Sequence, residues 1–139
     1  MNSIIRNLTI YLDNHNVRYT AVDENRIHLK YGMEKFSGST LNIVIALNTK
    51  TNAISLQAFG LGSVQSITFN ILKTINKLNY TYKWFKLFVD GDNDIIVNTD
   101  FFVNEDNSNE LISKYISLTV SMAEEYFPVI QKCIWGDNN

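Results

Sequence analysis

Residues 41–59 constrain this chain more than any other stretch. Leu41 to Leu47 (LNIVIAL) and Ala53 to Phe59 (AISLQAF) are two β-rich runs, separated by the polar segment Asn48-Thr49-Lys50-Thr51-Asn52. β-Branched side chains suit a pleated surface, and a polar break between two such runs reads as a turn, so the pair predicts the middle of an antiparallel sheet. Such a sheet must bury one face, and the flanking segments supply the cover.

Ile4, Ile5, Leu8 and Leu12 recur at helical spacing over residues 3–15, ending at Asn14-His15-Asn16. Tyr19 to Asp23 and Arg26 to Tyr31 form a hairpin around Glu24-Asn25, with Tyr19, Ala21, Ile27, Leu29 and Tyr31 facing inward. Residues 32–40 hold two glycines, two serines and a threonine and read as a loop. After Gly60-Leu61-Gly62, Ser63 or Ser66 caps a helix carrying Ile67, Ile71, Leu72, Ile75 and Leu78, which ends at Asn79. Lys83 to Asp90 and Ile95 to Phe102 form a second hairpin around Gly91-Asp92-Asn93-Asp94. A long helix follows from Asn107, and Pro128 is expected to kink it or restart it before Val129. The fold class is α+β, a mostly antiparallel sheet with helices packed against it.

The chain has 139 residues with 45% hydrophobic and 19% charged, enough for one core and short for two, so residues 1–139 are expected to form a single domain. No apolar run approaches bilayer length and no signal-like start precedes the first helix, so the expected location is cytoplasmic, with no membrane partner. Cys133 is the sole cysteine and reads as a small apolar residue. Charge is segregated along the chain. Residues 1–89 hold ten Lys or Arg against four Asp or Glu, a net +6, whereas residues 90–139 hold two against ten, a net −8. Either the segments neutralise each other on folding, or an acidic face selects a basic partner.

Candidate sites for chemistry fail one by one. Asp90-Gly-Asp92-Asn-Asp94 begins like a calcium loop, but Ile95 stands where the loop needs glycine and Phe101 where it needs a closing glutamate. Gly60-Leu-Gly62-Ser63 lacks the lysine of a phosphate-binding loop and the third glycine of a dinucleotide site. His15, His28 and a distant Cys133 are too few for zinc, and no Gly-x-Ser-x-Gly elbow surrounds Ser37 or Ser39. Glu124 and Glu125 are adjacent in a helix and diverge, which suits a solvated face. Tyr80-Thr-Tyr-Lys-Trp-Phe-Lys86 is the one aromatic and basic segment, and two lysines make a thin nucleic-acid footprint. The expectation is no enzyme, no cofactor, no metal and no nucleic-acid partner.

The helix closing on Leu78-Asn79, the strand after it, the Asp90-Gly-Asp turn, the acidic strand end at Asp100 and the long helix reaching Tyr126-Phe-Pro128 resemble the YbjN family. That family shares a fold with type III secretion chaperones. The resemblance implies an α-β-β-β-α-β-β-α order, a homodimer, and protein binding or regulation, bacterial members being described as sensory transduction regulators. It carries over no catalytic residue. The additional strand near the N-terminus departs from that order, unless it is an irregular lead-in.

The expected function is therefore a chaperone-like or regulatory module that binds another protein or peptide segment. So small a domain cannot bury every large side chain, and Phe59, Leu61, Val64, Trp84, Phe88 and Phe102 are the expected apolar contacts. The alternative is an acidic immunity-type protein that neutralises a basic toxin or other target through the segment Asp90 to Glu110, where Asp90, Asp92 and Asp94 head the contact set.

Overall fold

The computed structural model describes residues 2–36 and 38–137, with the backbone alone at Asp137. α1 (Ser3–Asn14) starts where the Asn2 side chain accepts a hydrogen bond from the Ile4 amide at 2.8 Å, and buries Ile4, Ile5, Leu8 and Leu12 on one stripe. The chain then lays down β1 (Tyr19–Asp23), β2 (Arg26–Gly32), β3 (Thr40–Asn48) and β4 (Ala53–Phe59) as an antiparallel meander. α2 (Phe69–Thr81) carries it to β5 (Lys86–Val89) at the far edge, and β6 (Ile95–Phe102) returns between β5 and β4. The sheet order is β1-β2-β3-β4-β6-β5, and α3 (Ser108–Asp137) closes the fold.

Register assigns the two faces. Ile27 lies opposite Ile45 and Ile45 opposite Leu56, while Ala58 lies opposite Val97 and Val97 opposite Leu87. These residues share one face, and all are at most 2% exposed. The apolar stripes of all three helices join them in a single hydrophobic cluster. Each such Ile or Leu contributes roughly 1.5–3 kcal/mol relative to an exposed position. The opposite face of the sheet is open.

Gly60 shows how tightly the β4 exit is constrained. Its φ is +107°, and a Cβ there would lie 2.4 Å from the Thr40 carbonyl oxygen, so only glycine fits.

Several details depart from the sequence reading. The strand Tyr19–Asp23 is paired to β2 as its residues predict, so it is the order implied by the resemblance that gives way, to α-β-β-β-β-α-β-β-α, and Ala21, expected to face inward, is exposed on this edge strand. Thr68, not Ser63 or Ser66, caps α2 by accepting from the Ile71 amide, which leaves Ile67 outside the helix and 52% exposed. β5 spans only four residues, with Trp84 in the preceding turn. α3 runs unbroken through Pro128 for 30 residues.

Candidate functional site

The open face of the sheet gathers apolar and polar side chains in adjacent rows. Phe88 lies opposite Ile96, and extending the β4–β6 register by one residue puts Phe59 on the other side of Ile96. Ile96 is 3% exposed on a face that no helix covers. The Lys86 ammonium sits 5.4 Å from the Phe88 ring centroid, within cation–π range. Next to this apolar row runs a polar one. Ser55 donates to Asn98 at 3.2 Å and Asn98 donates to Asp100 at 3.2 Å, while His28 and Asn42 hydrogen-bond at 3.1 Å between β2 and β3. Phe102 is 74% exposed on the same face, six residues along the pairing from Phe59, roughly 20 Å away at the usual strand rise.

The other expected contacts go elsewhere. Leu61 and Val64 are 0% and 6% exposed and belong to the core, Leu61 being fixed by the Gln131 amide donating to its carbonyl at 2.7 Å. Neither is presented to a partner in this fold. Trp84, 74% exposed, lines a separate concavity of about 320 Å³ with Tyr82, Phe85, Leu118 and Met122, between the α2–β5 turn and α3. The open sheet thus brings together Phe59 and Phe88, with Phe102 apart and Trp84 on another surface.

The acidic turn is built inward. Asp90 accepts from the amides of Asp92 and Asp94 at 3.0 and 2.9 Å, Asn93 adopts φ +63°, and the Asp94 carboxylate accepts from the Ser63 hydroxyl. Asp92 is exposed, whereas Asp90 and Asp94 are half-buried. Among the described residues no group of three His, Cys, Asp or Glu side chains is placed to hold a metal ion.

The residues weighed for chemistry have structural surroundings. The ring of His15 hydrogen-bonds the Tyr11 carbonyl at 2.8 Å, and Cys133 contacts Thr74 and Asn70 between α2 and α3. Glu125 accepts from the Tyr82 hydroxyl at 2.6 Å, and that bond is the first cause raising the Tyr82 pKa. Burial pushes the Tyr126 hydroxyl up to about 12. Ser37 lies outside the described residues; Ser39 is half-buried in the β2–β3 loop. No helix among the described residues is long and apolar enough to cross a membrane.

One polar element has no counterpart in the sequence reading. The Asn79 side chain accepts from the Leu87 amide at 2.7 Å and donates to the Leu87 carbonyl at 3.1 Å, so one amide group of α2 satisfies both backbone groups of one residue of β5. In the sequence Asn79 stands out only as the end of the second helix, in the Leu78-Asn79 pair, and nothing there assigns its side chain a partner.

The profile of the YbjN family, described as "Putative bacterial sensory transduction regulator", matches residues 6–132. No curated protein matches the chain. Among solved structures, a chain from the crystal structure of the ExsC–ExsE complex is similar, with a TM-score of 0.68 at 11% sequence identity over 90% of this chain and 91% of that one. At that identity the likeness concerns the fold.

Proposed function

The chain belongs to the YbjN family, and from that premise we propose that it is a non-enzymatic protein-binding module of chaperone-like or regulatory type, working in the cytoplasm on another protein or a peptide segment. The observation that carries this reading is the open sheet face, where Phe59 and Phe88 flank Ile96 without helical cover. Ile96 is already covered, but the half-buried rings of Phe59 and Phe88 lower their free energy when a partner removes their remaining surface from water. The fold likeness to a chain solved in a two-protein complex agrees with it.

A homodimer fits the same reading. Phe69, Leu72 and Tyr80 lie along the outward side of α2 and are 81%, 52% and 87% exposed, an apolar stripe that a second copy would cover. Sedimentation of the wild type against Phe69→Ser tests it; a wild type that sediments as a monomer at all concentrations removes the dimer.

The test of function is capture from native lysate by the immobilised full chain at low and high salt, beside a Phe59→Ser/Phe88→Ser variant. The expected result is a partner retained at both salts and lost by the variant. A partner that leaves steeply with salt and ignores the variant supports instead the acidic immunity-type reading, in which Asp92 and its neighbours meet a basic target.

A further inference from the structure

The two edges of the sheet are not equivalent, and hydrogen-bond parity shows how. In an antiparallel ladder, opposed residues alternate between pairs that exchange backbone bonds and pairs that do not. The Val103 amide donates to the Asn52 carbonyl, and the register carries that parity along β4 and β6, so Asn98 and Ile96 direct their backbone groups at Lys86 and Phe88. Leu87 therefore points its amide and carbonyl out of the β5 edge. Those are the groups that Asn79 occupies, so α2 closes this edge at its centre with a side chain that imitates a neighbouring strand.

β1 has no such guard. The Leu47 amide donates to the Asn25 carbonyl, which sets the parity of β2 so that His28 bonds Thr20. Tyr19 and Ala21 then direct their amides and carbonyls away from the sheet, and neither has a backbone partner among the described residues. The register breaks between Ala21 and Asp23, which limits the free run to this short stretch. The side chains at its start are unusual for a free edge. Extending the register by one residue brings Arg18 opposite Lys30, two exposed cations with no described carboxylate within ion-pair distance, an arrangement that costs stability across a strand pair. Beside them lies an open concavity of about 910 Å³ lined by Asp13, Asn16, Val17, Arg18, Tyr19 and Thr20.

We propose that the β1 edge receives an extended segment of a partner protein, hydrogen-bonded to Tyr19 and Ala21 and carrying a carboxylate that meets Arg18 and Lys30. Alternating outward donors and acceptors are matched by an extended polypeptide backbone, and the cation pair selects an acidic side chain at one end. A second copy meeting edge to edge is the poorer occupant. It would bring the same short run, and Thr20, Ala21 and Val22 offer far less than the roughly 800 Å² per partner of a stable interface. A separate segment can continue into the adjoining concavity. The inference rests on the protein-binding reading and adds a second contact, at the β1 edge across the sheet from Phe59 and Phe88, with the conformation of the segment bound there.

The probes are two synthetic peptides of alternating Thr and Val, flanked at both ends by Glu in one and by Lys in the other, added to the full-length chain while amide exchange is followed by NMR. The expected result is that the Glu-flanked peptide slows exchange at Tyr19 and Ala21 by about tenfold or more, while the Thr20 amide, already bonded to β2, changes little. Ala21→Pro deletes only an outward N–H, which an edge strand tolerates, and is expected to abolish the effect. Arg18→Glu/Lys30→Glu, which leaves the backbone intact, is expected to reverse the preference toward the Lys-flanked peptide. Protection appearing at Leu87 or Val89, protection produced by concentrating the protein alone, or no effect of either peptide at about 1 mM would each overturn the proposal. In lysate capture the two readings separate: an Ala21→Pro chain that retains the wild-type partner sinks the edge site alone, whereas a wild type that captures nothing sinks the binding function.

Discussion

Replacing Asn79 by alanine tests the structural basis of the edge asymmetry directly. The side chain makes two hydrogen bonds to the backbone of Leu87, at 2.7 and 3.1 Å, and Leu87 is 2% exposed. Each bond is worth about 1 kcal/mol net, and orphaning the buried amide and carbonyl adds desolvation cost, so Asn79→Ala is expected to lose about 2–4 kcal/mol. With a urea slope of about 1–3 kcal/mol per M for a domain of this size, the unfolding midpoint falls by roughly 1–2 M. Asn79→Asp separates the two bonds. It keeps an acceptor for the Leu87 amide and sets a carboxylate against the Leu87 carbonyl, so it is expected to be less stable above its own pKa than below it. The assays are urea unfolding by circular dichroism and amide exchange at Leu87. Both variants should also self-associate more readily, because an uncovered strand edge is a template for pairing. A loss below about 0.5 kcal/mol with unchanged exchange at Leu87 would refute the clamp.

Gly60→Ala would put a methyl group 2.4 Å from the Thr40 carbonyl at φ +107°, so a loss above about 3 kcal/mol or failure to fold is expected, whereas Gly91→Ala, with nothing within 4 Å, should lie within about 0.5 kcal/mol of wild type in the same urea assay. Pro128→Ala restores a helix donor at an exposed site and should raise stability by about 1–3 kcal/mol in thermal unfolding. Tyr126→Phe removes a buried hydroxyl that has no described partner, and should be neutral or stabilising near pH 7. The same variant has an alkaline signature. The folded pKa of Tyr126 is raised to about 12 from 10.0, so its contribution is complete below pH 10 and is lost as pH climbs toward 12. Tyr126→Phe should flatten that decline, measured as urea stability against pH.

Alternation and helical spacing were enough to place most elements. Ile43, Ile45, Leu56 and their neighbours alternate with half-buried partners, so a sheet with one covered face follows from period two. Other features depend on contacts that a local pattern does not encode. Three hydroxyls within six residues, Ser63, Ser66 and Thr68, can each cap a helix, and Ser63 is taken instead by Asp94. Leu61 and Val64 have no periodicity and read as loop surface, yet they lie in the core, Leu61 held by Gln131 of α3 and Val64 by the Asn93 carbonyl. Pro128 cannot donate to the carbonyl four residues back, but it lies on the exposed side of α3, where water can take the donor's place. Ala123, Tyr126, Ile130 and Ile134 on the buried side hold the helix through it. The Asn79 clamp requires knowing that α2 ends beside β5. The expected contact residues were chosen for size and polarity, which identifies candidates without their faces, and so Phe59 and Phe88 come together while Trp84 does not.

The charge segregation gains a physical meaning from the fold. Neutralisation within the domain would require cations of the first 89 residues to meet carboxylates of the last fifty. The described ion pair, Arg26 to Asp23 at 2.8 Å, joins residues three apart inside the basic half. Three carboxylates of the acidic half reach across the fold to hydroxyls: Glu105 to that of Ser3, Asp94 to that of Ser63, and Glu125 to that of Tyr82. A hydroxyl satisfies a carboxylate's hydrogen bond and leaves its charge in place. Those three bonds leave the charges of Glu105, Asp94 and Glu125 in place, while Arg18, Lys30 and Lys86 are exposed on or beside the sheet. On the proposed edge site, Arg18 and Lys30 are expected to steer a partner carboxylate toward the β1 corner and away from the turn at Asp92, with Asp13 in the adjoining concavity opposing them in part. Salt should slow that approach by screening the steering field, and should weaken the seated complex less, because backbone hydrogen bonds at Tyr19 and Ala21 do not depend on the long-range field.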